Sequence, residues 1–285
     1  EKSYLVKDEH IGSGQYQGNP ELEKADIYHV DTRLEAYLAE EENISFGLFY
    51  KYFVNPIEII GQPMAGSTLN YTWDNTPYAH NVGAELEWKL TFSLVSDLIR
   101  KGILSVRFKS IERQNTFRKV FGSLSGFFRD LYTAGNVAII WSQVDYGDLD
   151  DDITNTSTTR ALVGQSPYVI NISLGYENSV SWSQHRPVKT KIYLNYNVCG
   201  RRLLSIGTYE VPDIFEEPFH QLDLVAKQQF TETFSIGLKV KNLLDLSARE
   251  SIGGTVWSNI QGEPGTVIYE YQKGRSIELS ATLSY

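Results

Sequence analysis

Cysteine is almost absent from this 285-residue sequence, and positive charge is in the minority. Cys199 stands alone, so no internal disulfide and no oxidised scaffold is implied. It reads as a small buried apolar residue. Apolar enrichment is also lacking: a mean hydropathy of -0.29 excludes a helical membrane protein, while 41% hydrophobic residues exclude a disordered chain. A net charge of -9 argues against nucleic acid as a partner. The opening residues, Glu1 to Lys7, show no initiator Met, basic n-region or apolar h-region, so a processed chain or a fragment is expected. His10, His29, His80, His185 and His220 are scattered with no i, i+4 pair, and neither a metal site nor a cofactor is expected from them.

What is plentiful is aromatic. Eighteen Tyr, 13 Phe and 5 Trp exceed what a core alone requires and suit the girdles that mark a membrane interface. Their neighbours alternate. Tyr28, Val30, Thr32, Leu34, Ala36 and Leu38 interleave with His29, Asp31, Arg33, Glu35 and Tyr37; Val82, Ala84, Leu86, Trp88 and Leu90 interleave with Gly83, Glu85, Glu87, Lys89 and Thr91. The same period of two recurs at Tyr168–Glu177, Lys191–Val198 and Phe234–Lys241. The pattern predicts an all-β chain of about nine strands of about ten or more residues, long for a soluble sheet but suited to a tilted transmembrane strand.

Connections alternate as well. A short turn at Ala39 to Asn43 is followed by a long Gly/Pro/Asn-rich stretch, Gly61 to Ala79; the long Asp148 to Gly164 and Leu246 to Thr266 contrast with the short Thr231 to Thr233. Short periplasmic turns and long extracellular loops are the habit of a transmembrane antiparallel β-barrel. Residues 93–131 break the rule, being long where a short turn is due. With Leu, Ile and Phe at mixed spacing among Arg and Lys, they are expected to be a periplasmic insertion made of short helices or one more hairpin. At the end of the chain Ile277, Leu279, Ala281, Leu283 and Tyr285 alternate with Ser276, Glu278, Ser280, Thr282 and Ser284. This amphipathic strand resembles the signal by which outer-membrane proteins are handed to the barrel-assembly machinery, with Ile277, Leu279, Leu283 and Tyr285 as its apolar side and Tyr285 in place of the usual terminal Phe. An ordinary edge strand is the plainer reading, although an exposed flat apolar edge is a hazard in a soluble protein.

Three further segments extend the resemblance. Gly164-Gln165-Ser166-Pro167-Tyr168-Val169-Ile170-Asn171, then Val240-Lys241-Asn242-Leu243-Leu244-Asp245, then Gly274-Arg275-Ser276 entering the last strand, are together similar to the C-terminal half of TonB-dependent outer-membrane receptors. Asn19-Pro20-Glu21-Leu22-Glu23 is similar to the loop before a barrel strand in that family. Where the family often places a basic residue and a Tyr after Asp245, this sequence has Leu246-Ser247-Ala248-Arg249. The resemblance implies a barrel of about 22 strands with a plug in its lumen. Residues 1–27 show neither a plug nor a TonB-contacting box, so residues 1–285 are expected to be the C-terminal portion of one barrel domain. The alternative, a complete small barrel, needs another strand at Ile103 to Ile111. The resemblance further implies energy-coupled uptake of a scarce or large nutrient (siderophore, cobalamin, oligosaccharide or peptide), with outer-membrane lipid, the receptor's own plug domain, a TonB-type protein and the barrel-assembly machinery as partners. A barrel hydrolase and a diffusion porin remain alternatives.

Candidate side chains follow from topology. Ligands meet such a receptor at outer loops, where Tyr71, Trp73, Tyr78, Tyr209, Phe215 and Trp257 are candidates; loop packing or an interface girdle is the simpler role for each. Asp145, Asp148, Asp150, Asp151 and Asp152 form an acidic run in which Asp148, Asp150 and Asp152 could hold Ca²⁺, but the spacing lacks the alternate-ligand order of an EF-hand and a solvated acidic loop accounts for it. Arg33, Glu35, Glu85, Glu87, Lys89, Lys239 and Lys241 are expected on the lumen face, paired with one another or with a plug. For a hydrolase, Ser183 near His185 is the only pairing to suggest itself, and no motif marks a nucleophile, so no catalytic residue is assigned.

Overall fold

The computed structural model describes residues 5–7, 15–39, 42–62, 70–105, 111–146, 157–181, 187–207, 212–257 and 265–284. Nine strands pair antiparallel in chain order: β1 (Asp26–Ala39), β2 (Glu42–Val54), β3 (Tyr78–Thr91), β4 (Leu131–Asp145), β5 (Tyr168–Ser181), β6 (Pro187–Cys199), β7 (Phe219–Gln229), β8 (Phe234–Lys241) and β9 (Ser276–Leu283). The first six run 13 to 15 residues, enough to cross about 30 Å of hydrocarbon at a steep tilt and project beyond it. The ladder is open, since β1 and β9 each have one neighbour among the described residues.

Register sorts the side chains into two faces. Leu34, Phe46, Leu86, Val137, Ile170 and Val198 are successive lateral partners, one apolar row across six strands. One residue along, Glu35, Ser45, Glu87, Asn136, Asn171, Asn197 and Gln221 form a polar row across seven strands on the opposite face. A one-residue slip in any pair would exchange the rows, so the alternation fixes the register.

The two ends differ. At one, strands are joined by residues 40–41, 182–186 and 230–233; at the other, by residues 55–77, 146–167, 200–218 and 242–275. The long connections, together with residues ahead of β1, carry further short strands. Leu5–Lys7, Gln15–Gln17, Asn70–Asn75 and Ile57–Gln62 make one four-stranded sheet, and Arg202–Ser205, Ile214–Glu216, Ser247–Ile252 and Thr266–Gln272 another. Buried cores lie here: Ile60, Ala79, Val144 and Tyr146 in one, Tyr71, Leu203, Ile206 and Phe215 in the other. Between β3 and β4, at the short-turn end, stands a helical hairpin, α1 (Ser93–Ser105) and α2 (Ile111–Arg129). Ile103–Ser105 and Ile111, the described parts of the stretch in which a complete small barrel would need its additional strand, are helical.

Candidate functional site

The inner face carries most of the strands' charged and amide side chains, with Phe49, Ala138, Ile140 and Val225 among them, and the ladder brings the polar ones within bonding distance. Arg33 on β1 donates to Glu35 at 2.7 Å and to Glu87 on β3 at 2.8 Å. Asn171 Nδ2 donates to Asn136 Oδ1 at 2.7 Å, and Asn197 Nδ2 to Asn171 Oδ1, so three amides on β4, β5 and β6 form a chain. Nearer the short-turn end Glu177 accepts from Lys191 and Tyr193, both at 2.7 Å. Arg33, Glu35 and Glu87 thus pair with one another as expected of lumen residues. A recess of about 630 Å³ lies along this face, between residues such as Asp31, Lys51, Asn81, Glu85 and Gln165.

Aromatic side chains of the opposite face gather at its two ends. Toward the long loops Tyr28, Tyr52, Tyr78 and His80 lie ring to ring, with Tyr50 Oη 2.7 Å from His80 Nδ1. Toward the short turns Phe127 stacks on Tyr176 and Phe230 on Phe234. Between them Leu86, Ile139, Ile172, Leu174 and Leu194 are exposed although apolar. An exposed apolar band bordered by aromatic rows is a lipid-facing surface.

The long connections make a layer held by buried charge. Arg201, at the end of β6, has no exposed side-chain surface; its guanidinium lies 4.1 Å from the Phe215 ring centroid and donates to Glu217 at 2.7 Å, Ser251 Oγ at 2.7 Å, Gly253 O at 2.7 Å and Thr255 O. These contacts tie residues 200–218 to residues 242–275. Arg160 ties residues 146–167 to residues 200–218 through Asp213 at 3.0 Å, and Tyr71 Oη reaches Ile206 O at 3.2 Å from residues 55–77. Glu58 is buried beside Arg160, and burial pushes its carboxyl up to about 7.

The ligand candidates part company in this layer. Tyr71 and Phe215 are buried core residues. Trp73 is half-buried beside Tyr16, its carbonyl accepting from Asn19 Nδ2 at 3.0 Å. Tyr78 joins the outer aromatic row and donates to Asp145 at 2.6 Å. Trp257 lines a recess of about 250 Å³ with Gln143, Arg160 and Gln165. Tyr209, the Asp148, Asp150 and Asp152 group, the Ser183 and His185 pair, and Tyr285 lie outside the described residues. Ile277, Leu279 and Leu283 all point outward from β9 and are exposed. The signals that sequence reading passed over are Arg160 and Arg201, loop arginines whose burial depends on separate connections meeting.

The family-like segments turn out to be turn-builders. Asn242 and Asp245 take positive φ of 56° and 52°, Asn242 Nδ2 donates to Gly274 O at 2.8 Å, and Arg275 Nε to Leu243 O at 3.2 Å, knotting β7, β8 and β9 at the long-loop end. Ser166 Oγ likewise donates to Gly200 O at 3.1 Å, joining the starts of β5 and the segment after β6.

Long antiparallel strands, an apolar outer face edged with aromatics, a bonded polar inner face, and short and long connections segregated by end define the wall of an outer-membrane β-barrel. A family model described as TonB dependent receptor-like, beta-barrel matches residues 8–243, and the chain belongs to that family. Among solved structures it is similar to the ferric enterobactin receptor PfeA of Pseudomonas aeruginosa. Two mutant forms, and a third in complex with enterobactin, each give a TM-score of 0.50 at 16% identity, covering 99% of this chain and 35% of that one. The chain thus spans about a third of those receptors' length, and the likeness speaks for the fold. No curated protein matches its sequence.

Proposed function

We propose that this chain is the C-terminal part of the barrel of a receptor that imports a scarce or large nutrient through the outer membrane of a Gram-negative bacterium by energy-coupled transport. The observation that carries the proposal is the segregation of the two faces under a loop layer with its own buried core, in a chain of the TonB-dependent receptor family. The bonded inner face suits the wall of a lumen filled by the receptor's own plug domain, since paired side chains seat a protein partner with few unmet charges. Work reaches the plug from a TonB-type protein. The ligand meets the loop layer, with Trp73 and Trp257 as stacking candidates and Tyr78 nearer the lipid boundary. The ligand is a siderophore, a cobalamin, an oligosaccharide or a peptide.

The test is genetic and uses the full-length receptor. Deleting the receptor abolishes uptake of one ligand from the medium, and deleting the TonB-type partner abolishes uptake equally while leaving binding to the cell surface intact. Uptake that persists without the partner would make the protein a diffusion porin. Turnover of lipid or peptide by the purified receptor, lost on Ser183→Ala, would make it a hydrolase.

A further inference from the structure

The α1–α2 hairpin stands where neighbouring strands are joined by a few residues, and it is chemically unlike the rest of the chain. Residues 93–129 hold eight Lys or Arg and two Asp or Glu, in a protein of net charge -9. Arg100, Lys101, Arg113, Arg118 and Lys119 are exposed, and none forms an ion pair among the described residues. The helices hold each other by one side: Ser96 and Ser125 are buried against each other, their hydroxyls 3.0 Å apart. A second side of α2 is apolar and open, with Val120 at 58%, Leu124 at 40% and Phe127 at 47% exposure, spaced as one helical stripe.

That stripe is continuous with the lipid-facing band of the sheet. Phe127 stacks on Tyr176 with centroids 5.4 Å apart, and Tyr176 stands on the outward row of β5; the adjacent Phe128 lies 6.4 Å from Phe92 at the end of β3. The hairpin therefore springs from the outer side of the wall. Neither helix is long and apolar enough to cross a membrane. A basic amphipathic helix with an open apolar stripe, joined at its base to a lipid-facing surface, fits the plane of the headgroups.

We infer that the hairpin lies on the phospholipid leaflet at the short-turn end, with Val120, Leu124 and Phe127 at the boundary of the acyl chains and its arginines and lysines on anionic headgroup phosphates. The inference rests on the reading of the sheet as a membrane barrel. It makes the insertion a lateral foot on the bilayer instead of a cover over the lumen, and the occupant of the stripe is lipid.

The test places an environment-sensitive fluorophore on single cysteines in the full-length receptor, in a background whose native cysteines, Cys199 among them, are replaced by Ser, reconstituted in nanodiscs of phosphatidylcholine with or without phosphatidylglycerol. Labels at Val120→Cys and Leu124→Cys are quenched by nitroxide-bearing lipid and shielded from aqueous iodide, whereas a label at Asn115→Cys, on the other side of α2, behaves in the opposite way. Phosphatidylglycerol strengthens the lipid quenching, and the combined R113Q, R118Q and K119Q variant loses that increment. Heat-modifiable mobility on gels confirms that each variant is folded. If Val120 and Leu124 labels stay as open to iodide as the Asn115 label while a control label at Leu194→Cys is quenched by lipid, the hairpin stands off the bilayer, a periplasmic protein is its partner, and the inference falls with the barrel intact. A Leu194 label that lipid does not reach would overturn the barrel reading and the inference together.

Discussion

Arg201 and Glu58 show how few charges organise the loop layer. Removing the Arg201 guanidinium leaves Glu217 and three oxygen acceptors without their donor in a buried place, and the loss of one partner of a buried pair costs about 3–5 kcal/mol. Arg201→Met is expected to open residues 242–275 to limited proteolysis, and adding Glu217→Gln to recover part of the protection. Glu58 acts through pH. Burial raises its carboxyl from the ordinary range to about 7, so the folded loop layer favours the protonated form. The stability this provides is full below the usual Glu range and is lost as pH rises through about 7, a difference of at most about 3 kcal/mol. Protease protection of the loops should therefore fall between pH 5 and pH 8 in the native receptor, and Glu58→Gln should flatten the profile. Neither residue was legible beforehand. Arg201, the first of an adjacent Arg pair, looks like solvated surface until distant connections cover it, and for the same reason Tyr71 and Phe215 read as ligand platforms whereas they fill a core made by several loops.

Strands were legible because a period of two with a membrane-long reach has few competing explanations, and the main ladder has nine strands among the described residues where about nine were expected, whereas the short strands of the long connections gave no such signal. β6 offers the sharpest test of the two faces. Leu194 points to lipid and Asn195 to the lumen, so Leu194→Arg should cost roughly 2–4 kcal/mol near the bilayer midplane and Asn195→Arg less, measured by urea titration of the folded, heat-modifiable receptor. Equal costs would mean that both faces are buried in protein. Glycine adds a second constraint. A Cβ on Gly175 would come within 2.3 Å of the ring of Tyr132 on β4, whose hydroxyl donates to Glu177 at 3.4 Å. Gly175→Ala should displace the ring from Glu177 and cost about 1–3 kcal/mol by the same titration. The insertion was legible only as an anomaly. Its Leu, Ile and Phe residues allow a helical stripe and a hairpin alike, and the choice follows from Phe117, Val120, Phe121, Leu124, Phe127 and Phe128, which share one side of α2 when spaced by threes and fours.

At the scale of the whole molecule, β1 and β9 set the limits. Among the described residues each has a neighbour on one side only, and in lipid an unpaired polar group costs several kcal/mol, so residues 1–285 expressed alone should aggregate and give no heat-modifiable band. The full-length receptor should give one. Trp257→Ala is expected to weaken ligand binding to whole cells by about 1–3 kcal/mol if the ligand stacks there, without changing the amount of folded receptor. The loop layer has a kinetic consequence as well. Because Arg160, Arg201 and Tyr71 rivet four connections to one another, no single loop can swing without breaking a buried bond in its neighbour. The rim should open and shut as one gate: reporters placed on residues 55–77 and on residues 242–275 would then relax with a shared time constant after ligand is added, and release would be timed by a single slow step instead of the fastest flickering loop.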